Sequence, residues 1–210
     1  IDDFDHILYL SRVLLKLGQK VLVIDYSTTG HLTRAVPVPV GLDPAISVIT
    51  NRKVDFTSMP VTDELLSKYD VILTSYGFND PKEEVGLYGR VVFVTDLYPR
   101  NMDKLNGMDL NLSDGTELYL LVKNVVDTKI TPYSITGKLK YDVPAENRLS
   151  FYFEYQDYAS AIICQGNQIA RFTKISRMYR RFIIEDAMSI YPEYSRSVCK
   201  RAYRKARKGE

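Results

Sequence analysis

The residues able to do chemistry stand mostly at the ends of short apolar runs. "KVLVIDYS" (20–27) ends in Asp25 with a hydroxyl, Ser27, two residues on, and "YDVILTS" (69–75) ends in Thr74 and Ser75. A carboxylate at such a strand end manages magnesium in many nucleotide hydrolases, but the second run offers only hydroxyls there. "YSTTGHLT" (26–33) places a glycine and several hydroxyls after a strand, which suits either a phosphate or a plain loop with helix caps. The two histidines, His6 and His31, have no Cys or Glu at ligand spacing, so they read as surface or capping residues and imply no metal. Cys164 and Cys199 are far apart, which implies reduced thiols and a cytoplasmic protein. There is no Gly-x-Ser-x-Gly elbow and no Cys–His pair.

Positioning these residues requires alternating helices and strands. Ile7, Leu8, Leu10, Val13, Leu14 and Leu17 recur at helical spacing, with Asp2, Asp3 and Asp5 at the start and Gly18 at the stop. Strands are expected at 20–25, 71–75, 90–95, 117–125 and 148–155, and short helices at 62–68 and 98–107. Nearly continuous Val/Ile/Leu strands between helices predict an α/β fold, a mostly parallel sheet with helices on both faces. The stretch 131–148 reads as an irregular connection. One long helix is expected over 167–190, with Ile169, Phe172, Ile175, Met178, Tyr179, Phe182 and Ile183 on its apolar half. Arg171, Lys174, Arg177, Arg180 and Arg181 fall on the other half, Pro192 breaks the pattern, and 193–208 resumes as a shorter basic helix.

The 210 residues suit an α/β domain over 1–190 followed by a basic helix over 191–210. No apolar run reaches the roughly 20 residues of a membrane span, and the acidic start is not a signal peptide. The net charge of +2 is uneven: residues 195–210 carry seven Lys/Arg against one Glu, +6, which leaves −4 elsewhere. That asymmetry points the tail, through Arg196, Lys200, Arg201, Arg204, Lys205, Arg207 and Lys208, toward an acidic protein or nucleic acid. Its apolar stripe of Val198, Cys199, Ala202, Tyr203 and Ala206 lacks the Leu, Phe or Trp that buries deeply in lipid, so a membrane surface is the weaker choice.

The order helix, "LGQKVLVID", "YDVILTS", "RVVFVT", "LLVKN", "FEYQDYASAI" resembles the ParA/MinD-like ATPases, the deviant Walker-type P-loop proteins. By that resemblance the fold is a three-layer P-loop NTPase-like one whose first strand and phosphate loop lie before the first helix. Asp25 matches the family's strand-end Asp, and Asn124 matches the strand-end Asn that commonly contacts the base, so the two mark a vestigial nucleotide site.

The departures fall at the chemical positions. The lysine and hydroxyl of the phosphate loop match Asp3 and Phe4, the second acid after Asp25 becomes Ser27, and the Walker B acid becomes Ser75. A phosphate loop presents backbone N–H groups, a helix dipole and a Lys to an anion, and carboxylates at that helix end reverse the potential. The resemblance therefore implies a non-hydrolysing pseudo-ATPase, a localisation or scaffold protein like the TadZ-like members that serve pilus assembly. It implies protein partners, a homodimer among them, and no cofactor. The alternatives are an active ATPase of the same family, using ATP and magnesium through an atypical loop, and an unrelated Rossmann-like ligand-binding module.

Overall fold

The computed structural model describes residues 4–81 and 83–208. In chain order the first half holds α1 (Phe4–Lys16), β1 (Val21–Asp25), β2 (Ile49–Asn51), β3 (Val54–Thr57), α2 (Asp63–Lys68) and β4 (Val71–Ser75). Then come β5 (Arg90–Thr95), α3 (Pro99–Gly107), β6 (Glu117–Val125), α4 (Pro132–Thr136), β7 (Arg148–Tyr152), α5 (Tyr155–Gly166), α6 (Arg177–Ile190) and α7 (Arg196–Ala206). Two compact units result: Phe78–Glu154 forms one, and the chain up to Gly77 together with Tyr155 onward forms the other.

The larger unit is built on a four-stranded sheet in the order β2-β3-β1-β4, in which β1 pairs parallel to both β3 and β4. Alternation along β1 turns Leu22 and Ile24 to one face, where they pack with Leu65 of α2. The other face is covered by α1, and α6 and α7 pack on α1 in turn. Helix α1 is therefore buried all round, with Leu8, Tyr9, Val13 and Leu14 fully inaccessible. It ends where expected: Gly18 takes φ +98 and Gln19 N–H returns to the Leu14 carbonyl, a closure that needs a residue without a Cβ.

The smaller unit is an all-parallel sheet, β5-β6-β7, around Phe93, Leu120, Val122, Val125 and Val143. Mixed α/β architecture with mainly parallel strands is thus what the apolar runs implied. Four details differ from the sequence reading. The strands form two hydrogen-bonded sheets instead of one, because local sequence marks a strand as buried without choosing its partner. The antiparallel β2–β3 hairpin sits inside a stretch with no long apolar run. The connection 131–148 is not wholly irregular: Thr131 and Ser134 cap α4 reciprocally.

The expected helix over 167–190 is the fourth. It starts only at Arg177, where Ser176 caps it by accepting the Tyr179 N–H, while Gln168 takes φ +53 and stops α5. The segment between them is not helical. Phe172 stacks on Tyr9 with ring centroids 4.4 Å apart, meets Tyr203 edge-on at 5.5 Å, and donates its N–H to the Arg207 carbonyl. Tertiary burial of one aromatic side chain outweighs a helical spacing shared by chance.

Candidate functional site

Strand β1 delivers Asp25 directly opposite Ser75 at the end of β4. The Asp25 side chain is buried, 2% exposed, and is consumed by its own chain. One carboxylate oxygen accepts the N–H groups of Leu32 at 2.8 Å and Thr33 at 3.0 Å, and the Thr33 hydroxyl at 3.4 Å. The other accepts the Ser27 N–H at 3.0 Å and the Ser27 hydroxyl. The carboxylate thereby folds residues 26–33 into a closed loop and anchors the 3₁₀ turn Thr33–Ala35. Its hydrogen-bonding capacity is therefore taken up by donors of its own chain.

Ser75 faces His31, whose Nε2 lies 3.1 Å from the Ser75 hydroxyl oxygen, and the Thr29 hydroxyl lies 3.4 Å from Nδ1. A serine and an imidazole at that distance could form a nucleophile–base pair in an open cleft. Here both side chains are buried, and the site is shut by Gly77. At φ +57, a Cβ on Gly77 would stand 2.7 Å from Ser27 Cβ and 3.3 Å from the His31 ring, so only glycine fits. The Gly77 N–H donates to Ser75 Oγ at 3.3 Å and the His31 N–H to Ser27 Oγ at 3.2 Å. The result is a packed polar latch between two strand tips.

Phe4, in the position matched to the phosphate-loop hydroxyl, is 7% exposed and its ring lies 6.3 Å from that of His31. Asp5, one residue into α1, is buried and accepts the Tyr179 hydroxyl at 2.7 Å. Burial first, and then the Asp5 charge, push the Tyr179 phenol well above its ordinary range, so it remains a donor. His6 Nε2 is 2.8 Å from Asp186 Oδ2, and its ring lies 4.7 Å from that of Phe182. The N-terminal turn of α1 therefore carries a desolvated carboxylate sealed by α6. Asp3, the residue matched to the phosphate-loop lysine, lies outside the described residues.

Asn124 lies in the smaller unit. It is exposed, with φ +55, at the irregularity where the β6–β7 register shifts between Val122 and Val125. Asparagine tolerates this left-handed backbone better than most residues, which is a local reason for its presence. Among the described residues, no group of three or more His, Cys, Asp or Glu is placed to hold a metal ion.

The basic tail forms α7, which packs through Cys199, Ala202, Tyr203 and Ala206. Arg196, Lys200, Arg201, Arg204, Lys205 and Lys208 are exposed, while Arg207 is half-buried. Arg196 pairs with Glu185 at 3.1 Å. Among the described residues no helix is long and apolar enough to cross a membrane.

No protein-family model matches the chain, and no curated protein sequence matches it. A solved structure does. A ParA family ATPase from Chlorobium tepidum TLS is similar at a TM-score of 0.54 and 11% identity, covering 95% of this chain and 90% of that one. The fold is ParA-like. A likeness at this identity shows the fold alone and leaves the chemistry to the residues themselves.

Several functional-looking side chains were invisible at the sequence level. Arg12 reads as one polar residue on an amphipathic helix, yet it is 4% exposed and donates to the Asn51 and Arg52 carbonyls at 2.9 and 3.0 Å. His31 reads as a loop residue, and only the β1–β4 register brings it to Ser75. The hydroxyl-rich "YSTTGHLT" was the signal that something polar happens after β1, and its partner proves to be Asp25.

Proposed function

We propose that this protein is a ParA-like domain that has given up nucleotide hydrolysis and works as a localisation or scaffold component of a bacterial machine of the partition, secretion or pilus type. The observation that carries this reading is the Asp25 carboxylate, saturated by Leu32, Thr33 and Ser27 at the strand end that the fold uses for its chemistry. The residues at that edge do not fit a nucleotide–magnesium complex. Ser75 engages His31, Gly77 is closed against Ser27, and the turn of α1 that should offer positive potential to a phosphate holds buried Asp5. The structural neighbour is an ATPase by its description, and the likeness supports the shared architecture only.

Calorimetric titration with ATP and magnesium tests the reading. No saturable heat is expected up to millimolar nucleotide. A dissociation constant in the low micromolar range, about −8 kcal/mol, would return the protein to the active ATPases.

The same reading assigns the exposed cations of α7 to an anionic partner, an acidic protein surface or a nucleic-acid backbone. The apolar stripe of α7 is already buried against the domain, so electrostatics and not lipid insertion supports the contact. Deleting the helix would remove Tyr203 and uncover Phe172 and the side of α1 that α7 covers, so the informative variant reverses exposed charges only: Lys200, Arg201, Arg204 and Lys205, each to Glu. A partner held by wild type and released by this variant supports the assignment, and identical binding by both removes it.

A further inference from the structure

Between the 3₁₀ turn Thr33–Ala35 and β2 the chain leaves the core of the larger unit and returns to it. Ala35 and Val36 are buried, and then every residue from Pro37 to Asp43 is exposed. The arm "PVPVGL" (37–42) carries no charge. Its apolar side chains Val38, Val40 and Leu42 are 39%, 106% and 44% exposed, and Ile46 behind them is 77% exposed.

The arm is stiff. Pro37 and Pro39 hold φ at about −65° by their rings, and Val36 and Val38, each preceding a proline, are steered to extended conformations. Val36 accordingly has φ −128 and ψ 146. Gly41 at φ +87 then closes a tight turn, in which the Leu42 N–H returns to the Pro39 carbonyl at 3.1 Å and Val40 stands at the tip. The returning root is fastened to the end of β3. The Pro44 carbonyl accepts the Ser58 N–H at 2.8 Å and the Thr57 hydroxyl at 3.1 Å, and the Ser47 carbonyl lies 3.1 Å from the same hydroxyl.

We infer that this arm is a polyproline-type ligand for a different protein, seated in an uncharged groove lined by aromatic side chains, with an acidic residue of the partner where Arg34 arrives. Three properties select that occupant. The first is preorganisation: a backbone already extended by its prolines loses little freedom on docking. The second is the backbone's open polar groups. Among the described residues the Val38 N–H and the carbonyls of Val36, Pro37 and Val38 have no hydrogen-bond partner. Tyr and Trp side chains lining a groove can donate to such carbonyls while their rings pack on Pro and Val. Hydrocarbon offers them nothing, so the arm is not a lipid anchor. The third is charge. Exposed Arg34 precedes the arm and exposed Asp43 follows it, with nothing charged between, which fixes a direction in the groove and gives a phosphate backbone no row of cations. At about 3.1 Å per extended residue the contact is short, of the transient class that buries less than ~1,200 Å². This inference depends neither on the absence of nucleotide binding nor on the partner of α7.

Photo-cross-linking of the full chain in its own host cell tests it, with p-benzoylphenylalanine in place of Val40. Irradiation should give an adduct with a different protein, and peptide mapping should place the cross-link beside surface Tyr or Trp residues of that protein. The same photoreactive residue in place of Lys53, on the β2–β3 turn, should not give this adduct. Pro37→Ala combined with Pro39→Ala on the Val40-substituted chain should lower the adduct yield roughly tenfold, with the far-ultraviolet circular dichroism unchanged. Arg34→Glu should lower it as well, by meeting the partner's acid with a like charge. No adduct, or an adduct with a second copy of the chain, with lipid or with nucleic acid, overturns the inference. A protein adduct whose yield the two alanines leave unchanged overturns it equally.

Discussion

The Asp25 carboxylate accepts the Leu32 backbone N–H at 2.8 Å, seven residues along the same chain. Asp25 thus acts as an internal anion for its own loop. Asp25→Ala should destabilise the fold by about 3 kcal/mol, because the N–H groups of Ser27, Leu32 and Thr33 lose a buried charged acceptor. Asp25→Asn should cost less, since the amide keeps one acceptor oxygen. Urea denaturation monitored by tyrosine fluorescence measures both. If Asp25→Ala unfolds at the same midpoint as wild type, the carboxylate has no structural role.

Gly77 supplies the second expectation. Its Cβ-bearing substitute would stand 2.7 Å from Ser27 Cβ on a backbone at φ +57. Gly77→Ala should cost about 2 kcal/mol or more from strain and overpacking together. A crystal structure of the variant should show Ser27 displaced and the His31–Ser75 contact lengthened beyond 3.1 Å. An unshifted thermal midpoint would show that the latch yields freely.

The β2–β3 turn offers a stabilising test. Arg52 and Lys53 hold φ of 50 and 68, the region preferred by Asn and Gly, and the Arg12 guanidinium grips the Arg52 carbonyl from below. Burial, reinforced by repulsion from Arg52, presses the Arg12 pKa down to about 10. Arg52→Asn with Lys53→Gly removes the backbone strain and that repulsion. A gain of about 1 kcal/mol, or some 2–4 °C in the melting temperature, is expected. Arg12→Ala should lose about 2–3 kcal/mol by leaving two carbonyls without donors.

Alkaline pH should unfold the protein in a defined window. Burial first raises the phenols of Tyr9, Tyr179 and Tyr203 above their ordinary value of 10.0, Tyr203 to about 12. Above pH 10 the unfolded chain releases these protons while the folded chain keeps them, so the unfolded state binds fewer. Stability is therefore intact below pH 10 and falls above it, by about 1.4 kcal/mol per pH unit for each such tyrosine. Tyr203→Phe should make the decline between pH 10 and 12 shallower by one such increment. Melting temperature against pH, followed by circular dichroism, gives both slopes, and equal slopes would contradict the assignment.

Sequence by itself determined the element types and most of their bounds. The apolar runs at 71–75, 90–95 and 117–125 became β4, β5 and β6 at those residues, because short apolar runs between turn residues suit a buried strand. The helix start near Asp5, its stop at Gly18, and the buried stripe Cys199, Ala202, Tyr203 and Ala206 were equally legible, since caps and 3.6-residue spacing act locally. Asp25 and Ser75 could be placed at strand ends for the same reason. Which groups they would face was a tertiary decision. Pairing β1 with β4 in one register sets Asp25 opposite Ser75 and brings His31 to its hydroxyl, a match between residues 44 apart that no spacing rule encodes. The same holds for Phe172, drawn out of a helical pattern by Tyr9 and Tyr203. Periodicity shows that a face is apolar, and only the packed molecule shows which side the core has claimed.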